Sequence, residues 1–159
     1  MSLAAVRAAI VARLSAVADI GVVHDRERNA ADLARLKALY WSAPHAQLRG
    51  WFVRRIATSE TGNVQGRTVE QARWRIVGVM GVDDAAASEL AFDALVEAIR
   101  NAFAQDETLS GTVDQCTDPD GGGASCVQLD DAGIVMFAGV LCHACKLSLT
   151  TVRYLERSP

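Results

Sequence analysis

Two stretches of the chain, Val69 to Val82 and Ile134 to Tyr154, are dense in β-branched and apolar residues and commit it to building a sheet. In the first, Trp74, Ile76 and Gly78 alternate with Arg73, Arg75 and Val77, so one face is apolar while the other begins basic and turns apolar. Such a strand runs from a solvated end into a core. The second stretch supports one long strand, or two broken near Gly139. Aromatic and branched residues from Leu48 to Ala57 supply a partner for the first, separated from it by the polar, Gly-bearing segment Thr58 to Thr68, and the expectation is a β-hairpin with a long arm.

Helical patterns lie between these runs. Ser2 is placed to cap a helix in which Leu3, Val6, Ile10, Leu14 and Val17 recur at steps of three and four, with Arg7 and Arg13 off the stripe; Asp19 and Gly21 end it. Gly21 to His24 has strand character. Ala30 to Tyr40 predicts a second helix, stopped by Pro44. Asp83 or Asp84 caps a third, which runs to about Ala104 with Phe92, Leu95, Val96, Ile99 and Phe103 on one side. Gln105 to Asp131 reads as a long loop, with at most short strands near Thr112 to Gln115 and Val127 to Leu129, and Glu156 to Pro159 as a loose tail. Helices and strands mix without strict β-α-β alternation. The expected fold is therefore α+β, a mostly antiparallel sheet with two or three helices packed on it, in one domain spanning residues 1–159.

Half of the residues are hydrophobic and 22% are charged, which excludes a disordered chain. Arg7 and Arg13 interrupt the apolar start as no signal peptide would, so synthesis and residence in the cytoplasm are expected, with Cys116, Cys126, Cys142 and Cys145 kept as thiols. The uncharged stretch Ala132 to Ala144, near the C-terminal end, is too short to span a bilayer. The net charge of −3 hides a division: through Met80 the chain carries +6, and from Gly81 onward −9. Either the halves neutralise each other within one fold, or the subunit has a basic and an acidic surface suited to head-to-tail association.

The residues that invite a chemical reading are few. Cys142-His-Ala-Cys145 has zinc-ligand spacing, but the pair lies in a strand, where residues three apart point to opposite faces, and Cys116 and Cys126 are separated by nine residues instead of two to four. Neither a metal site nor a redox dithiol is expected. Asp118 and Asp120 open like a calcium loop, yet the twelfth position is Leu129 where a bidentate Glu belongs. The three glycines that follow lack the Lys and Ser or Thr of a phosphate loop. His24, His45 and His143 fall in unrelated contexts, no nucleophile elbow occurs, and no cofactor is expected. Arg49, Arg54, Arg55, Arg73 and Arg75 gather on the hairpin with Trp51 and Trp74, a composition suited to a nucleic-acid backbone and equally to a solvated strand end or a subunit contact.

Several segments together resemble the small tail-terminator proteins of long-tailed bacteriophages and prophages. They are Leu3-Ala-Ala-Val-Arg-Ala-Ala-Ile-Val-Ala-Arg-Leu14, Gly21-Val-Val-His-Asp25, Trp74-Arg-Ile-Val-Gly-Val-Met-Gly-Val-Asp-Asp84 leading into Ser88-Glu-Leu-Ala-Phe92, and the stretch from Leu129-Asp-Asp-Ala-Gly133 to Leu149. The resemblance covers nearly the whole chain in order. It implies an α+β virion protein that forms a hexameric ring on the tail tube, stops tube polymerisation and docks the tail to the neck of the DNA-filled head. Such a protein is not an enzyme and uses no cofactor or metal. Its partners would be further copies of itself, the tail-tube protein, a neck or head-completion protein, and DNA passing through the lumen, and its place the tail-neck junction of the virion. Two other readings stay open: a neck or head-completion protein, and a small cytoplasmic thiol- or zinc-dependent enzyme.

In a ring, the oppositely charged halves would supply the subunit contacts, with Arg26, Arg28, Arg54 and Arg55 the candidate cations and Asp83, Asp84, Asp130 and Asp131 the candidate anions. The same-face pair Arg73 and Arg75, or the arm from Gly62 to Arg67, would face the lumen or the tube below. The long polar loops Thr58 to Thr68 and Gln105 to Asp131 would order on assembly.

Overall fold

The computed structural model describes residues 1–62 and 66–156. It shows an α+β fold, with three α-helices among the described residues against a mostly antiparallel six-stranded sheet. The elements are α1 (Leu3–Ser15), β1 (Val22–His24), α2 (Leu33–Leu39), β2 (Trp41–Ser42), β3 (Gln47–Gly62), β4 (Arg67–Gly81), α3 (Ser88–Ala104), β5 (Gln128–Phe137) and β6 (Val140–Glu156). The strand order is β1-β3-β4-β6-β5, with β2 paired to β3 beside this path; among the described residues only the β1–β3 pairing is parallel.

The long central strands are half-buried by alternation. In β6, the residues at odd positions from His143 to Arg153 are all buried under one layer, formed by α1, α3 and the segment after α3. That layer puts Val6, Ile10 and Leu14 of α1 and Phe92, Val96, Ile99 and Phe103 of α3 against Trp51, Trp74, Ile76 and Leu147 of the sheet. Ser2 caps α1 as expected, its hydroxyl accepting from the Ala5 N–H at 3.2 Å. Arg7 lies over the Trp74 ring, 5.7 Å from its centroid, and Arg13 pairs with Asp106. A second, smaller cluster covers one end of the opposite sheet face, where Tyr40, Leu36 and Leu39 meet Phe52, Val79, Cys142 and Phe137.

Several boundaries differ from the sequence expectation, each for a local reason. The second helix is shorter than Ala30 to Tyr40 at both ends, with Tyr40 its C-cap; Asp32 caps its start, accepting from the Arg35 N–H at 2.8 Å. The hairpin strands continue through most of Thr58 to Thr68, to Gly62 and from Arg67, because the β3–β4 ladder persists past the apolar residues through a bulge at Ile56. The middle of the expected arm, residues 63–65, and the tail residues 157–159 lie outside the described residues. Asp83 caps a 3-10 turn, Asp84–Ala86, and α3 itself starts at Ser88 after Ala87 takes φ 51°. The break near Gly139 is present, with β5 and β6 joined by Ala138 and Gly139, both at positive φ.

The expected loop Gln105 to Asp131 is present as far as Val127. Its last residues, from Gln128, are β5, and the rest is anchored by Leu109, Val113, Cys116, Cys126 and Val127 in the main core. Gln115 bridges to Val152, and Thr117 to Ser125. This segment packs on the main core of the subunit.

Candidate functional site

The four thiols are buried and free of disulfides. Cys142 and Cys145 face opposite sides of the sheet, Cys145 in the main core and Cys142 in the smaller cluster, so they do not converge. Burial pushes the Cys116 and Cys145 thiols up to about 12 and also raises those of Cys126 and Cys142. Thiols held this way are poor nucleophiles and poor ligands. Among the described residues, no group of three or more His, Cys, Asp or Glu side chains is placed to hold a metal ion.

Two serines meet histidines in the structure. Ser88 Oγ accepts the Asp83 N–H at 2.8 Å and shares a hydrogen bond of 2.8 Å with His143 Nε2. Both residues are buried, with His143 stacked on Phe92. The pair therefore ties the start of α3 to β6. Ser42 Oγ meets His45 Nδ1 at 2.7 Å, and His45 Nε2 reaches Asp19 Oδ1 at 3.4 Å. That composition matches a hydrolytic triad, but Ser42 is 2% exposed and shares a single 3-10 turn with His45, so its oxygen is not presented to a substrate. Asp118 closes its own turn, accepting from the N–H groups of Asp120 and Gly121 at 2.9 and 3.0 Å.

The residues expected at subunit contacts occupy separated margins of the molecule. On the β1–β3 side, Arg26 pairs with Asp25 at 2.8 Å, Arg54 with Glu27 at 3.3 Å, and the Arg28 backbone exchanges hydrogen bonds with the Tyr40 hydroxyl. Arg55 is exposed on the helix side, lining a groove of about 410 Å³ with Arg7 and Trp74. On the far margin, Asp130 accepts from Ser148 Oγ at 3.0 Å and Asp131 stands opposite Lys146. Asp83 and Asp84 sit where β4 ends, Asp83 accepting from the Ala86 N–H. The cations and anions thus do not neutralise one another within the subunit.

Of the residues expected at a lumen or tube, Arg73 and Arg75 share a face of β4, Arg73 exposed and Arg75 half-buried, while Gly62 and Arg67 end the described hairpin strands. Arg67 pairs with Glu156 at 3.7 Å.

The feature that sequence reading missed is the outer edge of β5. This strand is ten residues long, pairs on one side only, and is exposed along almost its whole length on both faces. Ile134, Val135 and Met136 are 53%, 42% and 67% exposed, and Leu141 beside them 48%. A run this apolar reads as core from sequence; only the strand order shows that it is an edge. The outer side of β3 beyond Phe52 is likewise unpaired by any strand among the described residues. No helix is long and apolar enough to cross a membrane among the described residues. No protein-family model matches the chain, and no curated protein matches it.

Proposed function

We propose that this chain is a structural subunit of the tail-terminator type: a virion protein that closes into a ring, caps the tail tube, stops its polymerisation and docks the tail to the neck. The observation that carries the reading is the β5 edge. Native proteins shield long, flat, apolar edges because such edges pair with other chains, and β5 has no bulge, proline or lysine on its apolar half to prevent it. An edge left open in this way is a surface for assembly.

The charge layout supports copies meeting head to tail. Arg26, Arg28, Arg54 and Arg55 lie toward one margin and Asp130 and Asp131 on the other, with Asp83 and Asp84 at the end of β4, so the contact between two different patches joins opposite signs. Exposed pairs such as Arg26–Asp25 and Arg54–Glu27 are weak enough to be exchanged for partners on a neighbour. A thiol-dependent or zinc-dependent enzyme finds less support, because the thiols are buried and Cys142 and Cys145 point apart.

Negative-stain imaging of particles made without this protein tests the proposal. Overlong tails separated from full heads are expected. Heads that lose their DNA beside tails of normal length would assign the ring to the head side of the neck, and normal particles would overturn both.

A further inference from the structure

The sheet face turned away from α1 and α3 is covered at its two ends. Tyr40 and α2 lie over Phe52 and Val79 at one end, and at the other Thr150 Oγ1 reaches Asp118 Oδ2 at 3.5 Å. Between these ends, Arg54 stands directly opposite Arg75 in the β3–β4 ladder, and Arg73 lies two residues along β4 on the same face. Like charges directly opposite in a sheet are unfavourable, and same-face neighbours on one strand are only about 6.6 Å apart. Glu27 answers Arg54 at 3.3 Å. Among the described residues, no carboxylate pairs with Arg73 or Arg75. Arg75 Nε is moreover enclosed without any hydrogen-bond acceptor, a state that folded proteins seldom leave unexplained.

We propose that Arg54, Arg73 and Arg75 form a binding site for phosphate oxyanions on the open middle of this face. A guanidinium presents a planar fork of donors that matches phosphate oxygens, and Arg73 is exposed while Arg75 is half-buried beside it. Glu27 pairs with Arg54, and Asp118 and Asp130 bond the hydroxyls of Thr150 and Ser148, the β6 neighbours of Arg73 and Arg75, without pairing with either arginine. A doubly charged free phosphate, or successive phosphates of a nucleic-acid backbone, would engage those two unpaired forks. The chain as a whole carries −3, so diffuse attraction to a polyanion is absent and binding would be local. The site requires no ring and stands apart from the reading above.

A labelled double-stranded oligonucleotide, followed by fluorescence anisotropy at several salt concentrations, and inorganic phosphate, followed by NMR of the arginine side chains, distinguish the two sources. If the source is a nucleic-acid backbone, the salt slope corresponds to about three phosphates, and Arg73→Gln with Arg75→Gln weakens binding about tenfold or more and lowers the slope by about 2. If the source is free phosphate, inorganic phosphate saturates the Arg73 and Arg75 signals while the oligonucleotide does not bind. The single change Arg73→Glu, at an exposed position, keeps the fold and is expected to weaken either ligand by a similar factor. Binding of neither ligand, or binding that these substitutions leave unchanged, overturns the proposal.

Discussion

Gly78 stands directly opposite Trp51, and a Cβ built on it would come within 2.2 Å of the indole ring. The indole lies where a side chain at 78 would be, its Nε1 donating to the Ile20 carbonyl at 2.9 Å. Gly78→Ala therefore forces the ring or the strand to move, and a loss of about 1–3 kcal/mol is expected in urea unfolding. A second residue-level prediction concerns Glu70 and Arg153, a cross-strand pair buried on both sides, with Arg153 Nε donating to Glu70 Oε1 at 2.8 Å and Nη1 to the Met1 carbonyl. Glu70→Gln strands a buried guanidinium and should cost about 3–5 kcal/mol, more than most surface changes. The thiols give a pH dependence. Because burial raises Cys116 and Cys145 to about 12, the folded state holds their protons where the unfolded chain has lost them. Their contribution is complete below about pH 8.5 and is lost as the pH rises toward 12, by about 1.4 kcal/mol per pH unit per thiol, measurable as a falling unfolding free energy above pH 9.

At the scale of elements, α3 was legible because its apolar residues recur on one side, and Phe92, Leu95, Val96, Ile99 and Phe103 are all buried. Phe92 stacks between Trp51 and His143, at centroid distances of 5.9 and 5.8 Å. Phe92→Ala and Phe103→Ala are expected to cost about 3–5 kcal/mol each by calorimetry or chemical unfolding. The start of α3 was not legible to the residue, since both Asp83 and Asp84 are good caps and only the turn at Ala87 decides where the α-helix begins. The strands also extend past the apolar residues that mark them in the sequence. Polar residues from Thr58 to Gly62 stay in the ladder because β4 continues beside them, and that neighbour is a tertiary fact.

For the whole molecule, the edge of β5 and the margins of opposite charge lead to one test of assembly. Ile134→Lys with Met136→Lys places two charges on the open edge, where neither side chain is in the core. Those substitutions should leave the melting temperature of the monomer nearly unchanged while abolishing ring formation, read by light scattering or analytical ultracentrifugation. Ring formation by the unaltered protein should weaken with added salt, as exposed ion pairs are screened when the Debye length falls to about 3 Å at 1 M. Assembly that is indifferent to salt would assign the contact to the apolar edge alone.

The α+β class, the stripe of α3 and the divergence of Cys142 and Cys145 are legible in the chain because each follows from a local period of 3.6 or 2, and the cap of α1 because Ser2 precedes such a stripe; the sequence sets these locally. It did not determine which strands are edges, that Gln105 to Val127 is held by core residues, or that Arg54 faces Arg75 across a ladder. Period tells which side of an element is apolar. Strand order and register, set by contacts between residues far apart in the chain, decide what lies beside it, and hence whether Ile134, Val135 and Met136 enter a core or remain at an open edge.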